Sequence, residues 1–506
     1  MDGLTWRLIV VLVAVSLGTN FQLYSNSVTN NLMSVVEPWV NATIYRHYST
    51  ALSQITLDLL WSILGAALHI GGFCGALITW PFADSFGRRR SLMVVSVITV
   101  CGGTMVGLSQ GADSIELYGA GRLVLGISLG LGMGLGSLFA SELAPTKYRG
   151  ACGVIQQASL DLGNLLSQLL TLPQLLGTAT LWPLAVFLPI LPAALQFVVL
   201  MTSHESPRYL FLTKLKRQQS HQAIRFYQGL DKVEEVSTDL ELEMETCVAT
   251  SANERLTFLH LLRRRHLRRP LLLSLLLIFG AQMGGISAVM VYSAAIFQSA
   301  GLSAQMAKYA TAGVGFVSLC STFLNMCLIE RCGRKPLLTV GFSLSFVFVG
   351  VLALLTQGVS AWQWGAWASV GSVLCVYLMQ IGFAFTSAMQ FVVPSELFPQ
   401  DARAIAITVV FCTIWILSTL STLLYLPFRD AVGAPLSLLP FMLCNAVANA
   451  SLTLLMPETK GKMIREISSA FFQQHSPPSH NLDQLPTFSS YDSESDSEKS
   501  PLLMKI

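Results

Sequence analysis

Long apolar segments dominate this sequence and limit the folds that it can adopt. Each is about 20 residues long, the length of α-helix that crosses the hydrocarbon core of a bilayer. Only 12% of the 506 residues are charged and 53% are hydrophobic, whereas soluble domains carry roughly 25% charged residues. The pattern predicts an all-α membrane protein with twelve transmembrane helices. The segments lie near residues 5–25, 58–81, 91–110, 116–140, 151–173, 181–203, 270–299, 306–329, 336–357, 363–393, 404–427 and 435–456.

A polar stretch in the middle of the chain divides these segments into two groups of six. We therefore predict an N-terminal six-helix bundle over residues 1–206 and a C-terminal six-helix bundle over residues 270–461. Residues 207–269 form a cytoplasmic helical linker, which is either a solvated connection or a small cap whose charges tie the two bundles together. Residues 462–506 are rich in Pro, Ser, Asp and Glu, which predicts a disordered cytoplasmic tail.

Three short charged motifs occur twice, about 250 residues apart. They are Asp84-x-x-Gly87-Arg88-Arg89-Arg90 with Glu330-Arg331-x-Gly333-Arg334-Lys335, Ser141-Glu142-Leu143-x-Pro145-x-x-x-Arg149 with Ser395-Glu396-Leu397-x-Pro399-x-x-x-Arg403, and Glu205-Ser206-Pro207-Arg208 with Pro457-Glu458-Thr459-Lys460. Two copies of one charge layout in an apolar chain are typical of a transporter built from two related halves.

These duplicated acids and bases predict a set of ion pairs at the seam between the bundles. Such pairs would hold the cytoplasmic side closed and separate when it opens. The alternative is that the arginines only follow the positive-inside rule, which does not explain the paired acids or the duplication. The predicted lock consists of Asp84, Arg88, Arg89, Glu142, Arg149, Glu205, Arg208, Glu330, Arg334, Glu396, Arg403 and Glu458.

The distribution of positive charge predicts the orientation. Nearly all Lys and Arg residues between spans fall on one side, and only Arg46, Lys308 and Arg429 fall on the other. Both termini are therefore expected in the cytoplasm. The triplet Asn41-Ala42-Thr43 would then be an external N-glycosylation sequon, although such triplets also arise by chance.

The tail ends in Glu498-Lys499-Ser500-Pro501-Leu502-Leu503, which fits an acidic dileucine sorting signal. If Glu498, Leu502 and Leu503 are read by a clathrin adaptor, the protein is expected in endosomal or lysosomal membranes as well as in the plasma membrane. The alternative is an apolar pair in a solvated tail.

Several function classes are disfavoured. No nucleophile and base set points to an enzyme, and no histidine or cysteine pattern points to a metal or another cofactor. The net charge of +3 is too small to indicate nucleic-acid binding. The glycine run from Gly126 to Gly136 is not followed by a Lys-Ser or Lys-Thr pair, so close helix packing is a better explanation than a phosphate loop.

Seven motifs in this order resemble those of the major facilitator superfamily and, within it, the sugar porter family. They are the six above together with Gly121-Arg122 and Gly126 in the fourth span. The resemblance covers nearly the whole chain. It implies two six-helix bundles in a lipid bilayer, a small-molecule sugar site between them near the midplane, and alternating access.

The resemblance also implies site residues. The amides of Gln157, Gln168 and Gln282 match sugar-binding positions, Trp415 matches an aromatic residue that stacks on the sugar, and Tyr292 matches an external gate. The departures are Ser287 and Ser318 at positions where the family has asparagine, Phe385-Thr386-Ser387-Ala388-Met389-Gln390-Phe391 in place of a Pro/Gly-rich break with a tryptophan, and Ile414 in place of another asparagine. We include Asn31, Ser287, Ser318, Ser387 and Phe391 among the expected substrate-binding residues.

The lost tenth-span tryptophan resembles the class II branch of facilitative hexose transporters. The leading interpretation is uniport of glucose, fructose or both. The alternatives are a proton-coupled carrier, a carrier of urate, a polyol or another organic solute, and a sugar sensor that transports nothing.

Two residues bear on energy coupling. Asn26 stands where proton-coupled sugar porters resemble one another in having Asp, which favours uniport. Asp161, however, lies one helical turn after Gln157 inside the fifth span, where an ionisable group is costly and therefore a candidate for function. It is either a coupling acid or a structural partner for a neighbouring helix.

Overall fold

The computed structural model describes residues 5–49, 52–145, 149–250, 263, 265–362, 364–387, 389–398 and 400–458. Its α-helices, in order, are α1 Trp6–Asn20, α2 Tyr24–Tyr48, α3 Gln54–Phe86, α4 Arg88–Leu108, α5 Ile115–Leu143, α6 Arg149–Leu170, α7 Trp182–Phe187, α8 Ile190–Thr202, α9 Arg217–Gln228, α10 Val233–Thr250, α11 Arg265–Met283, α12 Ile286–Ser299, α13 Ala304–Cys332, α14 Arg334–Trp362, α15 Ala366–Ser387, α16 Met389–Leu397, α17 Gln400–Val432, α18 Ala434–Ser437 and α19 Leu439–Leu455. The described part of the chain contains no strand.

Ten helical segments of the described residues are long and apolar enough to cross a bilayer. The other two predicted spans are also helical, and each differs from the ten for a physical reason. Helix α6 carries Asp161 and several amides. The seventh span is divided into α11 and α12 at Gly285, whose φ of 95° lies in the left-handed region. The prediction of an all-α membrane protein is confirmed.

The duplication extends to the ends of the helices. Helix α3 begins after Ser53 and α13 begins after Ser303, and each serine side chain accepts a hydrogen bond from the backbone N–H three residues later. Both helices end at a glycine with positive φ, 88° at Gly87 and 87° at Gly333. Because a side chain is strained in that conformation, the glycines of the repeated motif allow the chain to reverse into the next span.

Helix packing explains the glycine run of the fourth span. A Cβ atom placed on Gly126 would lie 2.0 Å from the carbonyl oxygen of Leu68, and one on Gly130 would lie 2.0 Å from that of Gly72. Only glycine permits α3 and α5 to approach so closely. This finding supports the packing explanation.

Three helix pairs join the two halves: α3 with α17, α6 with α13, and α2 with α12. Counting six spans per half, these are spans 2 and 11, 5 and 8, and 1 and 7. Exchanging the halves turns each pair into another of the three or into itself. The seam therefore has the approximate two-fold symmetry expected from the repeated sequence.

The linker contributes α9 and α10, and α9 packs on the N-terminal half. Its Tyr227 carbonyl accepts a hydrogen bond from Thr5 Oγ1, and its Gln228 amide donates to the Leu143 carbonyl at 3.1 Å. The predicted domain boundaries stay predictions.

The two predicted modification and sorting sites differ in what the structure describes. Asn41 lies on α2, and the hydroxyl of Thr43 in the same sequon is buried and donates to Asp113 at 2.8 Å. Glu498, Leu502 and Leu503 lie outside the described residues. Glycosylation and adaptor binding therefore stay predictions.

Candidate functional site

A buried carboxylate links the two halves at the middle of the seam. Asp161 on α6 accepts hydrogen bonds from Ser318 Oγ at 2.7 Å and Thr322 Oγ1 at 2.5 Å, both on α13, and from Gln157 Nε2 at 3.3 Å. Ser318 in turn accepts from Gln380 Nε2 on α15 at 2.9 Å. Two predicted site residues, Gln157 and Ser318, thus meet at Asp161, the candidate for either a coupling acid or a structural partner. Among the described residues, no cation pairs with Asp161.

Gln168 lies two turns further along α6 and also contacts the other half. Its Oε1 accepts from the backbone N–H of Gly315 on α13 at 3.0 Å, and its Nε2 donates to Asn164 Oδ1 at 3.1 Å. The predicted residue Asn31 donates to the Gln168 carbonyl at 3.0 Å and to Thr171 Oγ1 at 3.2 Å. Both predicted residues are therefore hydrogen-bonded between helices in this structure.

The C-terminal half supplies amides that the motif comparison missed. Gln282 at the end of α11 donates to Gln390 Oε1 at 3.1 Å and accepts from Ser418 Oγ at 3.1 Å. Ser387, another predicted residue, donates to the Ala384 carbonyl of its own helix. The glutamines of the tenth span thus keep this half more polar than its departures from the family pattern suggest. A glutamine inside an apolar span was the signal.

Trp415, the predicted stacking residue, faces a histidine from the other half. The ring centroids of Trp415 on α17 and His69 on α3 are 6.0 Å apart. Both rings are buried, and neither the indole Nε1 nor the imidazole Nδ1 has a hydrogen-bond partner among the described residues. A Cβ atom on Gly72 would lie 2.6 Å from the indole, so the glycine makes room for it. His69 was not predicted, although an ionisable residue inside a span was a sufficient signal.

Buried polar atoms without partners concentrate on the helices of the seam. Such atoms cost free energy in a closed protein, and they can bind the hydroxyl groups of a polar ligand. Among the described residues, those on the seam helices α2, α3, α6 and α17 include Ser25 Oγ, Asn26 Oδ1, His69 Nδ1, Gln156 Nε2, Asn164 Nδ2, Trp415 Nε1 and Thr422 Oγ1. The seam therefore holds the donors and acceptors that a sugar site requires.

Tyr292, the predicted gate residue, lies at a kink. Its φ of −128° interrupts the helical geometry of α12. The hydroxyl donates to the Thr422 carbonyl on α17 at 3.0 Å, and the ring stacks on Tyr425 with centroids 5.4 Å apart. The side chain is buried. Its role as a gate stays a prediction.

Polar contacts also join the halves at the end opposite the repeated motifs. Arg429 on α17 lies 3.9 Å from Asp58 on α3, and both side chains are largely buried. Gln54 donates to Asp58 at 3.1 Å, and the Gln174 amide donates to the Tyr309 hydroxyl at 2.5 Å. The predicted external side is thus held together by side chains from both halves.

The repeated motifs form compact charge clusters. Arg88 at the start of α4 lies 3.1 Å from Glu142 and 3.4 Å from Asp84, and its guanidinium stacks on the Tyr209 ring at 4.4 Å. The Ser206 hydroxyl donates to the other oxygen of Glu142. Apart from Tyr209, which follows in the predicted linker, all of these residues belong to the predicted N-terminal bundle.

Glu205 and Glu458 each accept hydrogen bonds at the N-terminus of a helix, one in each half. Glu205 accepts from the backbone N–H of Arg89 at 2.8 Å, at the first turn of α4. Glu458 accepts from the backbone N–H groups of Arg334 and Lys335 at 3.0 and 3.1 Å, at the first turn of α14. A carboxylate is stabilising there because it satisfies free N–H groups and complements the helix dipole. The sequence predicted that Glu205 and Glu458 belong to a repeated motif, but it did not predict that they cap helices.

The remaining predicted residues have described positions but not all have described side chains. Arg208 immediately precedes a short π-helical turn, Tyr209–Thr213. The backbones of Arg149, Ser287, Glu330, Phe391, Glu396 and Arg403 lie in helices, while their side chains lie outside what the structure describes. The ion pairs described for these lock residues, Arg88 with Asp84 and with Glu142, join spans of the N-terminal half, so a lock between the halves stays a prediction.

Comparison with known proteins decides the family. Residues 10–471 match the model of the family described as sugar (and other) transporter. The chain belongs to that family. A relative, the solute carrier family 2 facilitated glucose transporter member 3 of Ovis aries, is 31% identical over 466 residues, 91% of this chain and 92% of its own. Member 5 of Homo sapiens is 30% identical over 494 residues, 96% of this chain and 97% of its own.

Solved structures of a xylose transporter show the same fold. The proton:xylose symporter XylE bound to 6-bromo-6-deoxy-D-glucose has a TM-score of 0.71 at 21% identity, over 92% of this chain and 99% of its own. A partially occluded inward open form of XylE from E. coli has a TM-score of 0.70 at 18% identity, over 89% and 100%. The predicted major facilitator fold is confirmed, and the protein is a membrane transporter and not an enzyme.

Proposed function

We propose that this transporter carries a hexose, glucose or fructose, down its concentration gradient by alternating access. The observation that carries the proposal is the pair of Trp415 and His69, which places an aromatic face and free ring nitrogens from opposite halves together at the seam. An aromatic face with convergent hydrogen-bonding groups suits a sugar. Support also comes from the relatives, whose names describe facilitated glucose transporters.

We further propose that it belongs to the class II branch, with a tenth-span segment most like that of member eleven of the facilitative glucose transporters. Residues 385–391 lack the tryptophan and the Pro/Gly-rich break of the typical glucose carriers. The amides of Gln282 and Gln390 bond to each other there, which leaves fewer free amides for glucose. We therefore expect a shift away from high affinity for glucose, and tight, glucose-selective uptake would contradict this.

Uptake by the purified protein in liposomes tests the proposal. Radiolabelled glucose, fructose and urate are offered with and without a pH gradient. A uniporter equilibrates its hexose without a gradient and shows counterflow when the vesicles are preloaded with unlabelled sugar. Flux of urate alone would instead support a non-hexose carrier, and no flux for any solute would favour a sensor.

A second candidate, proton-coupled transport, is favoured by one observation, the buried Asp161 with three neutral donors. If Asp161 couples protons, uptake rises at acidic external pH, carries protons inward and loses this dependence in Asp161→Asn. Asn can keep hydrogen bonds to Ser318 and Thr322, so the variant is a matched test of charge. Equal uptake by both proteins at every pH would make Asp161 a structural residue.

We also propose that the tail determines where the transporter resides. An acidic dileucine signal at Glu498, Leu502 and Leu503 would bind a clathrin adaptor. Replacing both leucines by alanine should move the protein from internal membranes to the cell surface, as measured by surface biotinylation. An unchanged distribution would reject the signal.

A further inference from the structure

A basic pocket lies beside the first span, away from the sugar site. It is a cavity of about 400 Å³ lined by Arg7, His204, Gln222, Arg225 and Phe226, among others. Arg7 is in the first turn of α1, His204 follows the end of α8, and the other three lie on one face of α9. Three separate elements thus converge on one cavity at the predicted cytoplasmic surface.

The cations of this pocket have no acidic partner among the described residues. Arg7 is held by the rings of Trp6 and Phe226, 5.8 and 5.1 Å from its guanidinium carbon, and forms no ion pair. Arg225 is exposed and also forms none. By contrast, Arg217 on the same helix pairs with Glu241 at 3.3 Å. The pocket therefore keeps two guanidinium groups available to an anion.

His204 adds a third nitrogen donor and reports the local field. Its ring lies 4.7 Å from that of Phe226, the same ring that Arg7 contacts, and its Nδ1 is buried without a partner. Burial, together with the positive charges of Arg89 and Arg7, lowers the pKa of His204 below its ordinary value. Two cationic side chains therefore lie close enough to His204 to affect its charge.

The position of the pocket near the membrane surface indicates which anions can reach it. Trp6 begins the first span and is 70% exposed, as expected for an aromatic side chain at the headgroup level of a bilayer. Guanidinium groups bind phosphate oxygens bidentately and with charge-assisted hydrogen bonds. We propose that this pocket binds a phosphate monoester, either on the headgroup of an inositol phospholipid or on a soluble sugar phosphate.

Binding to the full-length protein in nanodiscs tests the proposal and distinguishes the two sources. One arm compares phosphatidylcholine nanodiscs doped with phosphatidylinositol 4-phosphate or with the same amount of phosphatidylinositol, which lacks the monoester. The other arm titrates glucose 6-phosphate onto phosphatidylcholine nanodiscs. Because binding is measured directly by thermal shift and native mass spectrometry, the test does not require transport activity.

Matched variants distinguish a specific site from general attraction to positive charge. Arg7→Gln and Arg225→Gln should each weaken binding about fivefold, whereas Arg217→Gln removes the same charge from α9 and should leave binding unchanged. Arg225→Lys keeps the positive charge and should retain most of the binding, which would show that the loss in Arg225→Gln is due to the charge. Equal losses in all three glutamine variants, or no binding of either probe, would overturn the proposal.

Discussion

At the scale of single residues, the pairing of His69 with Trp415 is the clearest link between structure and transport. The two rings come from different halves, and each has a buried nitrogen without a partner. A substrate hydroxyl group that lies between the two rings can form hydrogen bonds with both nitrogens. Without a substrate, these nitrogens stay without partners among the described residues. Selectivity among hexoses then depends on which hydroxyl groups reach them.

His69→Leu should therefore raise the KM for the transported hexose with little change in protein abundance. Loss of one hydrogen bond at a buried site costs about 1–3 kcal/mol, which is roughly tenfold in KM at the lower half of that range. Uptake kinetics normalised to surface protein measure the effect. Ile70→Leu, on the neighbouring exposed position of α3, is the control, and an equal KM in both variants would remove His69 from the site.

Residue-scale prediction from the sequence was uneven for a physical reason. Gln157, Gln282 and Trp415 could be placed because motifs fix their register within a span. The hydrogen-bond partners of Gln282, which are Gln390 and Ser418, come from other helices, and sequence separation does not reveal which helices touch. His69 could have been found, because an ionisable group in an apolar span is itself a signal.

At the scale of helices, the repeated motif is a device for ending one span and beginning the next. Gly87 reverses the chain with a φ of 88°, and Glu205 caps the helix that follows. A Cβ on Gly87 would lie 2.6 Å from the Glu205 carboxylate. The turn and the cap are therefore fitted to each other, and the same arrangement recurs at Gly333 and Glu458.

Removing either cap should destabilise the protein without altering the sugar site. Glu205→Ala and Glu458→Ala each leave N–H groups at a helix start without a carboxylate, at a cost of about 1–2 kcal/mol. The melting temperature in detergent should fall for both. Glu234→Ala, which removes an exposed carboxylate on α10, should leave it unchanged, and an equal fall for this control would argue against the caps.

At the scale of helices, the sequence predicted the features that depend on the length and apolarity of a segment. The twelve spans were predictable because a bilayer sets their length. The break of the seventh span at Gly285 was not, because a glycine inside a span predicts either close packing or a bend. The sequence shows the residue but not the φ of 95°.

At the scale of the whole molecule, the two halves meet along three helix pairs with polar contacts at different depths. Asp161 joins them in the middle, and Arg429 with Asp58 joins them at the predicted external end. Opening toward that end must separate Arg429 from Asp58, whereas the charge clusters of the N-terminal half stay within one bundle. The populations of the two states then depend on these few contacts.

Arg429→Ala should shift the transporter toward the state open at the predicted external side. Because the pair is long, at 3.9 Å, we expect its loss to be worth about 1 kcal/mol, or roughly fivefold in the ratio of the two states. Distances between spin labels placed at Leu181 and Met306, in a cysteine-free background, would report the change. Arg46→Ala, which breaks the exposed pair with Asp113 inside one half, is the control, and identical distance distributions in both variants would contradict the expectation.

The capped turns also bear on the mechanics of transport. The contacts of Glu142, Glu205 and Glu458 join spans within one half. We therefore expect each half to move as one body, and the surface between the halves to be where the movement takes place. When two rigid halves rotate about their interface, a small change in contact with a ligand produces a large displacement at the far ends of the helices. We therefore expect substitutions of Glu142, Glu205 or Glu458 to lower the stability of the protein. Substitutions at the interface between the halves should instead change the rate of transport.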